Sequence, residues 1–191
     1  RPPQAAVQRP LRPAPAVHLH AIHGGLALEG HKAASAAGGL RACPPPPRLV
    51  LALRQHAGLP ARPVVAVGER VARGQVLALP EGPGAPVHAP LAARVLAIED
   101  RPLPGQGAPA VPHLVLEPTG SGEAALLAPL PDDAAPGALR ARIAEAGLVG
   151  LGGAGFPTAG KLDAARELVI INGAECEPWI SCDDALLRAH A

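Results

Sequence analysis

The sequence predicts a mixed fold, a small all-β domain followed by the opening of an α/β domain. Three observations predict it. Between residues 48 and 116, short runs of Val, Leu and Ile are separated by Gly and Pro at the spacing of a compact β unit. Beyond residue 120 the apolar period lengthens from that of a strand to that of a helix. A turn with five glycines between residues 147 and 155 then precedes an expected helix and the apolar run Leu168 to Ile171, suited to a buried parallel strand.

Composition narrows the class. The 191 residues include 25 Pro and 22 Gly but one Phe, one Trp and no Tyr. Hydrophobic residues still make up 48% and the mean hydropathy is +0.20, so the expectation is a folded chain with a thin core of Val, Leu and Ala. A formal net charge of +1 leaves no electrostatic footprint for nucleic acid. No apolar stretch approaches the ~18 residues needed to span a bilayer. The chain opens on Arg1 and ends at Ala191 inside a helical pattern, which reads as an N-terminal piece of a longer protein.

The elements follow in order. Residues 1–22 form a Pro-, Ala- and Arg-rich lead-in, expected to be flexible. His18, His20 and His23 lack helical spacing and a fourth ligand, so they read as surface histidines. Cys43 to Pro47 is a stiff polyproline spacer. Strands are expected at 48–53, 64–67, 74–79, 87–90, 94–98 and 113–116, with His88 and His113 packed inside the unit. Leu139, Ile143 and Ala146 share a helix face, with Asp132 and Asp133 as cap candidates and Gly147 as the stop. Asp183 is the cap candidate for a last helix carrying Leu186 and Leu187. Cys43, Cys176 and Cys182 lack disulfide or cluster spacing, and Cys176 and Cys182 read as buried or half-buried thiols. No metal site is expected.

Two loops carry the chemistry. In Gly147-Leu-Val-Gly-Leu-Gly-Gly-Ala-Gly-Phe-Pro-Thr-Ala-Gly-Lys161, missing β-carbons let backbone N–H groups approach an anion. Lys161 offers a charge, Thr158 a hydroxyl, and Pro157 suits the first turn of the helix that follows. On the glycines alone, a connector needed only for close packing is equally compatible, since neither a Walker nor a dinucleotide fingerprint is present. After the expected strand, Asn172-Gly-Ala-Glu-Cys-Glu-Pro178 places polar groups where α/β sheets bind ligands. Without further context the favoured reading of this stretch is a solvated acidic turn.

Longer strings resolve these choices. Gly150-Leu-Gly-Gly-Ala-Gly-Phe-Pro-Thr-Ala-Gly-Lys161 resembles the flavin loop shared by the NADH-oxidising flavoprotein of respiratory complex I and the C subunit of the Rnf ion-translocating electron-transport complex. Leu151 and Cys176, where complex I proteins carry Arg and Ser, are similar to the Rnf pattern. Val65 to Leu77 and Val87 to Val95 resemble the two halves of a lipoyl/biotinyl barrel sandwich. The hairpin Leu79 to Pro86 contains no Lys, which excludes a swinging prosthetic arm. Ala93 stands where carriers have Gly. His23-Gly-Gly-Leu26 and Lys32-Ala-Ala-Ser35 resemble a further stretch of the Rnf family.

The resemblance implies a barrel-sandwich β domain at 23–119 and the first part of an α/β Rossmann-like flavin/NADH domain at 120–191. It implies FMN and NAD(H) as cofactors, with Gly150, Gly152, Gly153, Gly155, Thr158 and Lys161 cradling flavin phosphate. Asn172, Glu175 and Glu177 would face the ring or nicotinamide. Four-iron clusters belong to sequence beyond this piece. The implied activity is electron passage between NADH and low-potential carriers. The implied setting is a peripheral position on the cytoplasmic face of the bacterial inner membrane, partnered by the other subunits of a membrane-bound complex. Two other readings stand beside it, a soluble complex I-like dehydrogenase or hydrogenase flavoprotein and a non-catalytic scaffold with a lost flavin site.

Overall fold

The computed structural model describes residues 24, 28–103, 108–120, 122, 124–151, 153–162, 172–173 and 175–190. Gly152, the expected strand at 168–171 and the histidines at 18, 20 and 23 lie outside the described residues. The chain divides into two compact units, Ala42–Ile170 and a smaller one made of Arg1–Arg41 with Ile171–Ala191.

The larger unit is built on two antiparallel sheets. Strands β1 (Leu49–Ala52), β3 (Arg70–Val71), β6 (Ala93–Pro102) and β7 (Ala110–Pro118) form one sheet in the order β1-β7-β6-β3. Strands β2 (Arg62–Pro63), β4 (Val76–Leu79) and β5 (Val87–His88) form the other in the order β2-β4-β5. Between them lies a core of small aliphatics, with Leu53, Leu77, Leu114, Leu116 and Val95 as its largest fully buried side chains. Alternation decides the register. Val95 pairs with Leu116 and both face inward, while Arg94 pairs with Glu117 outside, where the guanidinium meets the carboxylate at 2.9 Å. His113 is buried as expected, its Nδ1 2.7 Å from the Val111 carbonyl.

The internal echo in the sequence has a physical cause. Ala66–Glu69 and Ala72–Gln75 are β-turns closed by Glu69 N–H to Ala66 O and Gln75 N–H to Ala72 O, each at 3.1 Å. Gly68 (φ 90°) and Gly74 (φ 86°) occupy the third position, where a type II turn demands positive φ. In both turns the residue after the glycine reaches back: the Glu69 carboxylate accepts Ala66 N–H, and the Gln75 amide oxygen accepts Ala72 N–H. Gln75 Nε2 then donates to Glu69 Oε1, tying one turn to the other.

Some expectations are corrected here. Residues 64–67 are not a strand, because β2 ends at Pro63 and the chain enters the first of these turns. Helix α2 (Pro136–Glu145) begins too late for Asp132 or Asp133 to cap it; Ala135 holds that place, with Pro136 at the first helical position, where its missing N–H removes no bond. Gly147 does follow its end, at φ 69°. After the glycine turn, Thr158–Lys161 form a 3₁₀ turn with Pro157 at its N-cap position, and residues 163–171, where the expected helix would continue, lie outside the described residues. Ala93 sits in an ordinary strand and is fully buried, so the absent glycine costs this barrel nothing visible.

In the smaller unit, α1 (Lys32–Ala36) and α3 (Cys182–His190) flank the acidic loop. All three cysteines are exposed, which overturns the buried-thiol reading of Cys176 and Cys182.

Candidate functional site

The glycine loop is a closed lobe. Thr158 N–H donates to Leu148 O and Gly150 N–H to Phe156 O, both at 2.9 Å, while Val149 and Pro157 bridge antiparallel. These bonds make a neck of residues 148–150 and 156–158 below a tip at 151–155. The Gly150 and Thr158 amides are therefore spent inside the lobe, leaving the tip to offer backbone donors. Leu151 at the tip is 94% exposed.

The glycines divide into two sets by what a β-carbon would meet. On Gly147 it would lie 2.4 Å from the Pro86 carbonyl oxygen, and on Gly155 (φ 61°) 2.9 Å from that of Gln55. Both contacts are to the backbone of the β unit, so these two glycines are required by packing. On Gly153 (φ 145°) a β-carbon would meet nothing within 4 Å. On Gly150 it would stand 3.2 Å from Lys161 Nζ. Lys161 thus folds back over the neck, its ammonium 5.9 Å from the centre of the Phe156 ring, and it has no carboxylate partner among the described residues. An exposed ammonium over the neck of an open glycine tip fits an anionic group such as a flavin phosphate. The Thr158 side chain is half-buried beside it.

The acidic loop belongs to the smaller unit. Glu175 Oε1 accepts the Asp183 and Asp184 amides at 2.9 and 3.2 Å, capping α3 from seven residues upstream of its start. Asp183 is therefore not the cap. Cys182 Sγ lies 3.8 Å from Glu175 Oε2, and the ligand atoms of Glu175, Cys182 and Asp183 fall within 4.8 Å of one another. Asn172 and the Glu177 side chain are exposed. The Glu177 carbonyl accepts Lys32 Nζ at 3.0 Å, and the same ammonium reaches the Ile180 carbonyl. Ser35 Oγ meets Ser181 Oγ at 3.1 Å. Lys32 and Ser35, three apart on one helix, hold this stretch together, Lys32 through two backbone carbonyls and Ser35 through the Ser181 hydroxyl. Their spacing was visible in the sequence, but their partners, some 145 positions away, were not.

A lysine-free barrel sandwich that runs into a glycine lobe of this shape defines a barrel-sandwich hybrid domain joined to an FMN-binding segment. Residues 20–121 match the RnfC barrel sandwich hybrid domain, and residues 143–191 match the Nuo51 FMN-binding domain. The chain belongs to the RnfC family. It is similar to the C subunit of the ion-translocating oxidoreductase complex of Pseudomonas aeruginosa, at 46% identity over 91% of this chain and 23% of that protein. The corresponding protein of Rhodobacter capsulatus is 38% identical over 89% of this chain and 34% of its own length. That of Vibrio cholerae is 41% identical over 76% and 20%. The chain therefore spans between a fifth and a third of the length of these relatives.

Proposed function

We propose that this chain is the flavin-loop region of an electron-transferring RnfC protein, which passes electrons between NADH and low-potential carriers. Its domains would be the barrel sandwich at 23–119 and the flavoprotein-like part at 120–191. The observation that carries this reading is the glycine lobe, with Gly153 open to solvent at its tip and Lys161 unpaired by any described carboxylate above its neck. Gly150, Gly152, Gly153, Gly155, Thr158 and Lys161 would hold the phosphate end of FMN, whose bound ring supplies the change from hydride to single-electron transfer. Lys161 would neutralise phosphate charge, and the tip would exclude bulky side chains from the approach. Asn172, Glu175 and Glu177 would face the ring or nicotinamide. Four-iron clusters would lie in sequence outside this chain.

No helix among the described residues is long and apolar enough to cross a membrane. Attachment to the cytoplasmic face of the bacterial inner membrane would run through the other subunits of the complex. NADH titration of the full-length protein tests the reading: bound FMN bleached by NADH is the expected result, with a Glu175→Gln variant slower in that bleaching. A colourless full-length protein that ignores NADH would sink it.

A second reading is favoured by a specific observation. Glu175 is engaged at the start of α3, and Gly147 and Gly155 are explained by packing, so these residues are accounted for without a ligand. On that reading the chain is a scaffold, and the full-length protein purifies without flavin.

A further inference from the structure

Outside the loops already described, the least explained buried group in the larger unit is His56. It is 6% exposed, it contributes no strand register, and its Nε2 is buried without a partner among the described residues. An apolar ring of the same size would fill the space without leaving a polar atom unpaired. The position of the ring suggests what it does instead. Its Nδ1 lies 3.1 Å from the Ala57 carbonyl oxygen, and Ala57 N–H donates to the Gly155 carbonyl at 3.0 Å. On its other side is the hairpin between β4 and β5. A β-carbon on Gly84 would stand 2.6 Å from His56 Cε1, and one on Gly155 would stand 3.1 Å from His56 Cα. His56 thus presents its imidazole to the hairpin that carriers use for their lysine and its backbone to the glycine lobe.

We propose that His56 is a positioning residue: it fixes the segment Gln55–Ala57 against the hairpin, so that Ala57 holds the Gly155 end of the lobe and sets the shape of the anion cradle. Gly147 lies close against Pro86 of the same hairpin, where a β-carbon would stand 2.4 Å from the Pro86 carbonyl oxygen. The lysine-free hairpin then has a role of its own, as the platform on which the cradle is built. This inference rests on the flavin reading of the lobe.

The test uses the full-length protein, stripped of flavin and titrated with FMN, with Kd read by flavin fluorescence and Tm measured in parallel without FMN. His56→Ala and Gly84→Ala are each expected to weaken FMN about tenfold, within the effect of displacing a binding group by ~1 Å. The Gly84 methyl would also stand 2.7 Å from Pro80 Cβ, so the His56 variants, which leave Pro80 untouched, isolate the contribution of the ring. His56→Phe keeps the ring volume and loses Nδ1; it is expected to keep Tm near the parent value and still lose affinity. It carries the test alone if Gly84→Ala does not fold. Parent-like Kd in the folded His56 variants overturns the proposal and leaves the flavin reading intact. A parent protein that binds no FMN overturns the flavin reading and this proposal with it.

Discussion

His31 and Trp179 stack face to face, their ring centroids 4.4 Å apart and their planes 14° from parallel. Both residues also hold left-handed backbone, at φ 53° and 71°, and no other described non-glycine residue does. Trp179 N–H donates to the Gly30 carbonyl at 2.7 Å, so the turn before α1 and the end of the acidic loop are joined by backbone and by ring. Left-handed backbone in a large residue costs roughly 1–2 kcal/mol and persists only where its surroundings enforce it.

That cost gives the first prediction. Trp179→Ala removes the stack and keeps the strain, whereas Trp179→Gly removes both. The Gly variant should be the more stable of the two by about 1 kcal/mol, although glycine is ordinarily the worse replacement. Thermal melts followed by circular dichroism check this. An Ala variant that melts higher would mean the backbone at 179 is not strained.

The two tied turns yield a double-mutant cycle. Glu69→Ala and Gln75→Ala each remove one bond to a turn amide and also the bond between the side chains. Each single change should cost ~1 kcal/mol, and the cycle should show coupling of at least ~0.5 kcal/mol. Urea melts of the parent, both singles and the double measure it. Strictly additive losses would show that the link between the turns contributes nothing.

Acid should find a weak point at His88. Burial lowers its pKa below the usual 6.5, and this outweighs the opposing influence of Glu145. With the folded value below the unfolded one, the unfolded chain binds the extra proton first. Stability is therefore fully present above about 6.5 and declines as pH falls from there towards the folded value. His88→Gln should flatten the decline in Tm between pH 7 and pH 5. If the parent and variant fall in parallel, His88 is not the group responsible.

The lobe glycines should respond in opposite ways. Gly147→Ala drives a methyl into the Pro86 carbonyl at a positive φ, so it should lower Tm strongly, by ~2 kcal/mol or more in stability. Gly153→Ala meets no atom, so its penalty is conformational and nearer 1 kcal/mol, yet it crowds the open tip. A melt paired with an FMN titration separates them. Equal Tm losses would collapse the division into packing and cradle glycines.

These residues also show what could be read from sequence. The barrel was legible because its repeat, Gly-Glu and Gly-Gln after short Val runs, encodes turns closed by contacts three residues long. A core of Val, Leu and Ala followed from composition. The glycine lobe was legible as a motif, but not the sorting of its glycines, since Gly155 is explained by Gln55 and Gly147 by Pro86, both far away in sequence. Glu175 drew notice as a candidate for the ring or nicotinamide, and its place as a helix cap was not legible, because its partners lie eight and nine residues on, beyond the usual capping distance. His56 left no trace in any pattern. A single buried histidine between a Gln and an Ala declares itself only through what surrounds it.

The strand order carries a consequence for how the molecule is made. Among the described strands β1 is the first synthesised, yet its partner β7 is the last, with Leu49 facing Leu116. Until translation reaches β7, Leu49-Val-Leu-Ala52 is an apolar edge with nothing to bond to, open to pairing with the same segment of another nascent chain. Pro44 to Pro47 stand one residue before it. Four residues without an N–H cannot donate to a ladder, so strand pairing through β1 cannot spread upstream into the polyproline.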